Sequence, residues 1–140
     1  MVRKTKRGIC PGDLKKLLNL KKENLKKTSL GTQIVADFWN CQNSNLNSVF
    51  YLKEILFRAA KKSNNTPLKF VYHKFKPQGL TAVLLLAESH IAVHSWPEFD
   101  YWAIDIFTCG KNNNVEKAFE FLKKEFFPQR VRFKIFKRSL

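Results

Sequence analysis

Two amphipathic stretches with helical periodicity, set around a series of short strand-like runs, constrain the fold of this chain more than any other feature. Leu46, Val49, Phe50, Leu52, Ile55, Leu56 and Ala59 recur at three- and four-residue intervals, which predicts a helix with one apolar face. A second helix is expected from Val115, Ala118, Phe119, Phe121, Leu122 and Phe126, capped by Asn112-Asn113-Asn114 and stopped by Pro128. Between the two lie strand-like runs at 68–75, 80–87 and 91–95, the last with a continuation over 101–108. Another run, 32–39, is opened by Gly31 and alternates Ile34, Ala36 and Phe38 with Gln33, Val35 and Asp37; Val131, Phe133, Ile135 and Phe136 suggest a closing strand. The order is β-α-β-β-β-β-α-β. Its short central connections favour antiparallel pairing and leave both helices on one face. The predicted class is α+β, a two-layer α/β sandwich with a mainly antiparallel sheet.

A length of 140 residues, 44% of them hydrophobic and thirteen of them Phe, suits one domain with a single modest core, expected over residues 30–140. A domain this small has little room for a deep pocket of its own, so a site shared between two copies in a homodimer is expected. The net charge of +15 is uneven: residues 1–28 hold ten Lys or Arg against Asp13 and Glu23, a net of +8. Pro11-Gly12-Asp13 followed by Leu14, Leu17, Leu18 and Leu25 among lysines makes residues 1–29 an N-terminal basic extension with a helix. Such a segment is either a solvated face or a binder of nucleic acid, anionic membrane or acidic partners. No apolar run is long enough for a membrane helix, and the basic start lacks the apolar stretch of a signal peptide, so the expected location is the cytoplasm. Cys10, Cys41 and Cys109 are three, without CxxC spacing. Reduced thiols are expected.

The residues with chemistry cluster. Glu88-Ser89-His90-Ile91-Ala92-Val93-His94-Ser95-Trp96-Pro97-Glu98, followed by Phe107-Thr108-Cys109-Gly110, places a hydroxyl, two imidazoles and a thiol in one short region. Each has a plainer reading. His90 and His94, four apart on one strand face, resemble a metal pair but lack a third ligand, so no metal is expected. Cys109 alone reads as a small buried hydrophobe, and Phe75 and Trp96 as core aromatics.

The window resembles the self-processing site of the prokaryotic-type S-adenosylmethionine decarboxylases, pyruvoyl-dependent enzymes made as a proenzyme. The likeness extends through Phe75-Lys76-Pro77-Gln78-Gly79-Leu80-Thr81 and Asp105 to Gly110, and loosely over residues 30–132. It implies a two-layer sandwich and autocatalytic cleavage between Glu88 and Ser89. Ser89 would become a covalent pyruvoyl cofactor that forms a Schiff base with the substrate, the electron sink that ordinary side chains cannot supply. By the same resemblance His94 is the processing base and Cys109 the proton donor of catalysis. Thr81, where relatives carry serine, assists the attack of Ser89 on the Glu88 carbonyl. Phe75 stacks on adenine, with Glu98 a candidate for the ribose hydroxyls and Trp96 a further substrate-binding ring.

The implied activity is decarboxylation of S-adenosylmethionine for spermidine biosynthesis. Ser89, His94 and Cys109 serve equally in similar arginine or ornithine decarboxylases, and Phe75 tips the choice toward the adenosyl substrate. A basic nucleic-acid-binding module on an inactive scaffold ranks last, because the Glu-Ser pair and the placement of Cys109 argue against a dead scaffold. One geometric objection stands. Ser89 and His94 are five apart and would face opposite sides of an unbroken strand, so a turn or bulge within 88–90 is expected.

Overall fold

The computed structural model describes Leu18, Asn19 and residues 29–139. Leu18 and Asn19 are helical; the rest of the expected basic helix lies outside the described residues. The strands are β1 (Ser29–Cys41), β2 (Pro67–Lys74), β3 (Leu80–Leu86), β4 (Ser89–Trp96), β5 (Tyr101–Cys109) and β6 (Pro128–Ser139). The helices α1 (Val49–Lys62) and α2 (Val115–Phe126) fall where the periodicity puts them. The six strands form one sheet in the order β2-β3-β4-β5-β1-β6, with β2–β3, β3–β4, β4–β5 and β5–β1 all antiparallel. The run 91–95 and its continuation are thus two strands of a hairpin, joined by a short 3-10 turn over Pro97–Phe99 and by Asp100 in the left-handed region.

Both helices cover one face, as expected. Ile34, Ala36 and Phe38 of β1, Leu80, Ala82, Leu84 and Leu86 of β3, Ile91 and Val93 of β4, and Trp102, Ile104 and Ile106 of β5 are buried there. Leu52, Ile55, Leu56 and Ala59 of α1 and Ala118, Phe119, Leu122 and Phe126 of α2 close over them. Phe38 meets Phe126 edge-on at 5.6 Å, and Trp102 meets the same ring at 5.2 Å. Ser48 caps α1 by accepting from the Tyr51 N–H, and Asn114 caps α2 by accepting from the Lys117 N–H. Residues 44–47 form a separate 3-10 turn, and Phe50, which the periodicity assigned to the buried face, is 78% exposed. At 3.6 residues per turn Phe50 lies opposite the face formed by Leu52, Ile55, Leu56 and Ala59. None of the helices described is long and apolar enough to cross a membrane.

Neither α1 nor α2 covers the opposite face. Alternation sets Lys69, Val71 and His73, then Thr81, Val83 and Leu85, then His90, Ala92, His94 and Trp96, then Ala103, Asp105, Phe107 and Cys109 on this open side.

Candidate active site

The Glu88–Ser89 bond lies where the β3–β4 hairpin turns. Ala87 and Glu88 bend, and Ser89 opens β4. Four hydrogen bonds hold this corner. The Cys109 N–H donates to the Glu88 carbonyl oxygen at 3.2 Å. The Thr66 N–H and hydroxyl donate to the Glu88 carboxylate at 2.8 and 2.9 Å, and the Ala87 N–H donates to the Thr66 carbonyl. The Thr66 backbone donor, aided by its hydroxyl, holds the Glu88 carboxyl below its ordinary pKa. The carbonyl beside Ser89 is therefore already polarised, by the residue that also carries the thiol.

A buried polar cluster sets the end of β5. Thr108, the register partner of Ser89, donates to Asn65 Oδ1 at 2.5 Å, and Asn65 Nδ2 donates to Ser63 Oγ at 2.8 Å. Ser63 Oγ in turn reaches the last carbonyls of α1. Asn113 Nδ2 donates to the Cys109 carbonyl. Cys109, half-buried, faces Gly31, and a Cβ on Gly31 would stand 2.7 Å from the Thr108 carbonyl oxygen, 2.8 Å from the Phe107 ring and 3.1 Å from Cys109 Sγ. Only glycine lets β1 close on this part of β5. The other described thiol, Cys41, is pushed up to about 12 by burial and by Asp100.

The second group lies at the far end of β4. Thr81 Oγ1 is 2.9 Å from His94 Nδ1, the two being register partners across β3 and β4. Trp96 lies 6.2 Å from the His94 ring and 5.4 Å from Tyr101. Tyr101 donates to Asp37 at 2.5 Å, and burial together with Asp37 pushes its phenol up to about 12. His94 lines a cleft of about 550 Å3 with Asp37, Ala103, Asp105, Arg132 and Lys134. Phe75 follows β2, edge-on to His73 at 4.7 Å. It lines a smaller pocket of about 250 Å3 with Gln78, Gly79, Ser95 and Pro97, and Gln78 donates to Glu98 at its border. Gly79, at φ +103°, turns the loop that carries Phe75 and accepts at its carbonyl from the Phe75 N–H. Phe75 and Trp96 are 51% and 40% exposed, which removes the reading of them as core aromatics.

The chain thus turns at Ala87 and Glu88, but the β4–β5 ladder runs without a register shift from Ser89↔Thr108 to Trp96↔Tyr101. Of the turn or bulge expected within 88–90 only the turn is present, and no bulge interrupts β4. At about 3.3 Å per residue, His94 stands roughly 16 Å from Ser89 and the Phe75 pocket beside Ser95 roughly 20 Å. Within one protomer the candidates form two groups: Glu88, Ser89 and Cys109 at one end of β4, and Phe75, Thr81, His94, Trp96 and Glu98 at the other. Among the described residues no three His, Cys, Asp or Glu side chains converge as metal ligands. Sequence reasoning missed Thr66, Asn65, the Cys109 N–H and the steric role of Gly31, and spacing carries no signal for them because each acts on a residue more than twenty positions away.

Residues 32–139 match the S-adenosylmethionine decarboxylase family. The S-adenosylmethionine decarboxylase proenzyme of Acidithiobacillus ferrooxidans is 43% identical over 98 residues, 70% of this chain and 74% of that one. The proenzyme of Thermotoga maritima is 41% identical over 103 residues, 74% of this chain and 79% of that one. The crystal structure of the adenosylmethionine decarboxylase from Aquifex aeolicus superposes with a TM-score of 0.73 at 32% identity, covering 81% of this chain and 93% of that chain. The chain belongs to the S-adenosylmethionine decarboxylase family.

Gly31→Ala is expected to destabilise the fold by about 1–3 kcal/mol, since the added methyl must displace backbone as well as a ring. Chemical denaturation measures this, and an unchanged midpoint would show that β1 and β5 separate more easily than their contact suggests.

Proposed function

We propose that this protein is a self-processing, pyruvoyl-dependent S-adenosylmethionine decarboxylase whose product serves as aminopropyl donor for spermidine, working in the cytoplasm where Cys109 stays reduced. The observation that carries the reading is the hydrogen bond from the Cys109 N–H to the carbonyl of Glu88, the residue before Ser89. A polarised carbonyl next to a hydroxyl favours the shift of that carbonyl from nitrogen to oxygen. Removal of the Ser89 α-proton then expels the ester and leaves dehydroalanine, which hydrolyses to pyruvoyl and ammonia.

The residues present fit such a group. The break falls in a turn, so β4 remains held between β3 and β5 after cleavage, and the new end stays beside Cys109. A pyruvoyl group supplies the electron-accepting carbonyl that decarboxylation of an α-amino acid requires. The chain's own part is to bind, orient and return a proton: Cys109 donates to Cα once carbon dioxide has left, and Phe75 and Glu98 take the adenine ring and ribose diol.

The roughly 16 Å between Ser89 and His94 leads to a homodimer. A second copy laid over the open face, with its β4 reversed, brings the Phe75, Thr81 and His94 end of one sheet to the Ser89 and Cys109 end of the other, twice by symmetry. Exposed Val71, Leu85 and Trp96 on that face support such a cover. His94 would then take the α-proton in trans, its ring held by Thr81.

Mass analysis of the purified protein is expected to show fragments 1–88 and 89–140, and Ser89→Ala one intact chain; S-adenosylmethionine with borohydride should add mass to the 89–140 fragment alone. A wild-type chain that stays whole and inactive would end the reading.

Carbon dioxide release should be faster from S-adenosylmethionine than from arginine or ornithine. Phe75→Ala should cost about 1 kcal/mol or more in use of the adenosyl substrate while leaving chain cleavage intact. Preference for arginine or ornithine would overturn the substrate and keep the chemistry.

Co-expression of Ser89→Ala with His94→Ala should cleave the His94→Ala chain, which remains uncleaved alone. No cleavage in mixed dimers shown to form would place His94 and Ser89 of one protomer in the same site.

A further inference from the structure

A line of polar contacts crosses four strands and ends on Ser89. Arg138 of β6 donates to Gln33 Oε1 of β1 at 2.7 Å, and Gln33 Nε2 donates to Asp105 Oδ1 of β5 at 2.9 Å. The other oxygen of Asp105 faces His90 Nε2 of β4 at 3.7 Å. His90 Nδ1 lies 3.2 Å from Ser89 Oγ. Phe107 stands edge-on to the His90 ring at 6.2 Å, and Arg138 lies over Phe107 at 5.6 Å. The order carboxylate, imidazole, hydroxyl is that of an activated nucleophile whose base is oriented by a third group.

We propose that His90 is the base of the first processing step, oriented by Asp105, with Gln33 and Arg138 as positioning residues for that carboxylate. The proposal rests on the self-processing reading and divides its proton transfers between two histidines. At 3.7 Å the Asp105 oxygen is beyond a hydrogen bond, but its charge favours the tautomer with hydrogen on Nε2, which leaves Nδ1 free to accept. Nδ1 takes the Ser89 hydroxyl proton as Oγ attacks the Glu88 carbonyl carbon. The resulting oxyanion is met by the Cys109 N–H. When the C–N bond breaks, its electron pair stays on the Ser89 nitrogen, which takes the proton back from His90. The products are a Glu88–Ser89 ester and a free Ser89 amine, with neither water nor an oxidant consumed. His94 acts afterwards, at Cα.

The test follows freshly translated chains in a cell-free system, where the ester is read as cleavage by hydroxylamine. His94→Ala is expected to accumulate this ester. Adding His90→Ala should slow its accumulation roughly 10²-fold or more, the usual scale of a lost general base. Adding Asp105→Asn instead should slow it by a smaller factor. Imidazole in the medium should restore part of the rate to the His90→Ala chain, which a misfolded chain would not allow. Ester accumulation at an undiminished rate in the His94→Ala chain lacking His90 overturns the assignment of His90 alone. So does a slow chain that imidazole fails to restore. Absence of both ester and cleavage in every chain, wild type included, overturns the self-processing reading with it.

Discussion

The continuous pairing of β4 on both edges is the constraint on which the rest depends. Its bonds to β3 from Leu85↔His90 to Leu80↔Ser95, and to β5 from Ser89↔Thr108 to Trp96↔Tyr101, leave no residue free to loop back. A bulge would let Ser89 approach His94, but it would also shift Ile91 and Val93 out of the core. Packing therefore holds the strand straight, and the straight strand keeps the serine and the Thr81–His94 pair apart. This separation is the reason a homodimer is proposed.

The Glu88–Ser89 bond, the proposed cleavage point, lies at the edge of this rigid frame rather than within it. A cut in the β3–β4 turn severs no ladder hydrogen bond, whereas a cut inside β4 would. The turn is nevertheless tightly held, by Thr66 on the Glu88 side chain and by the Cys109 N–H on its carbonyl. The Ser63–Asn65–Thr108 cluster explains why a buried polar group is tolerated next to it: each member has a partner, so the end of β5 is fixed without an unsatisfied atom. Ser95 differs, being buried with no partner for its hydroxyl among the described residues and lining the Phe75 pocket.

Much of the fold was legible in the sequence. Helical and period-two patterns located both helices and all six strands to within a few residues, because burial on one face imposes those periods directly. The errors fall at the start of α1: the Ser48 cap begins the helix after Leu46, and Phe50 lies opposite the face of Leu52, Ile55, Leu56 and Ala59. Of the candidate site, the local motif carried Glu88, Ser89, His94 and Cys109 as a set. Thr66, Asn65, Gly31 and the Asp105–His90 pairing were not legible, since the partners come from other strands and turns at separations no pattern encodes.

By itself the sequence determined the two-layer class, the one-sided helix cover and the chemical identity of the candidate groups, because each follows from periodicity or from a contiguous motif. Tertiary structure decided their grouping. Ser89 and His94 are five residues apart in the chain and read as one site, yet an extended strand converts five residues into roughly 16 Å. Ser89, by contrast, comes to lie near Cys109, twenty residues later, through the β4–β5 hairpin and the bend at Glu88. Which side chains share a site was set by strand pairing and register, quantities fixed by the packed sheet as a whole and absent from any local stretch of sequence.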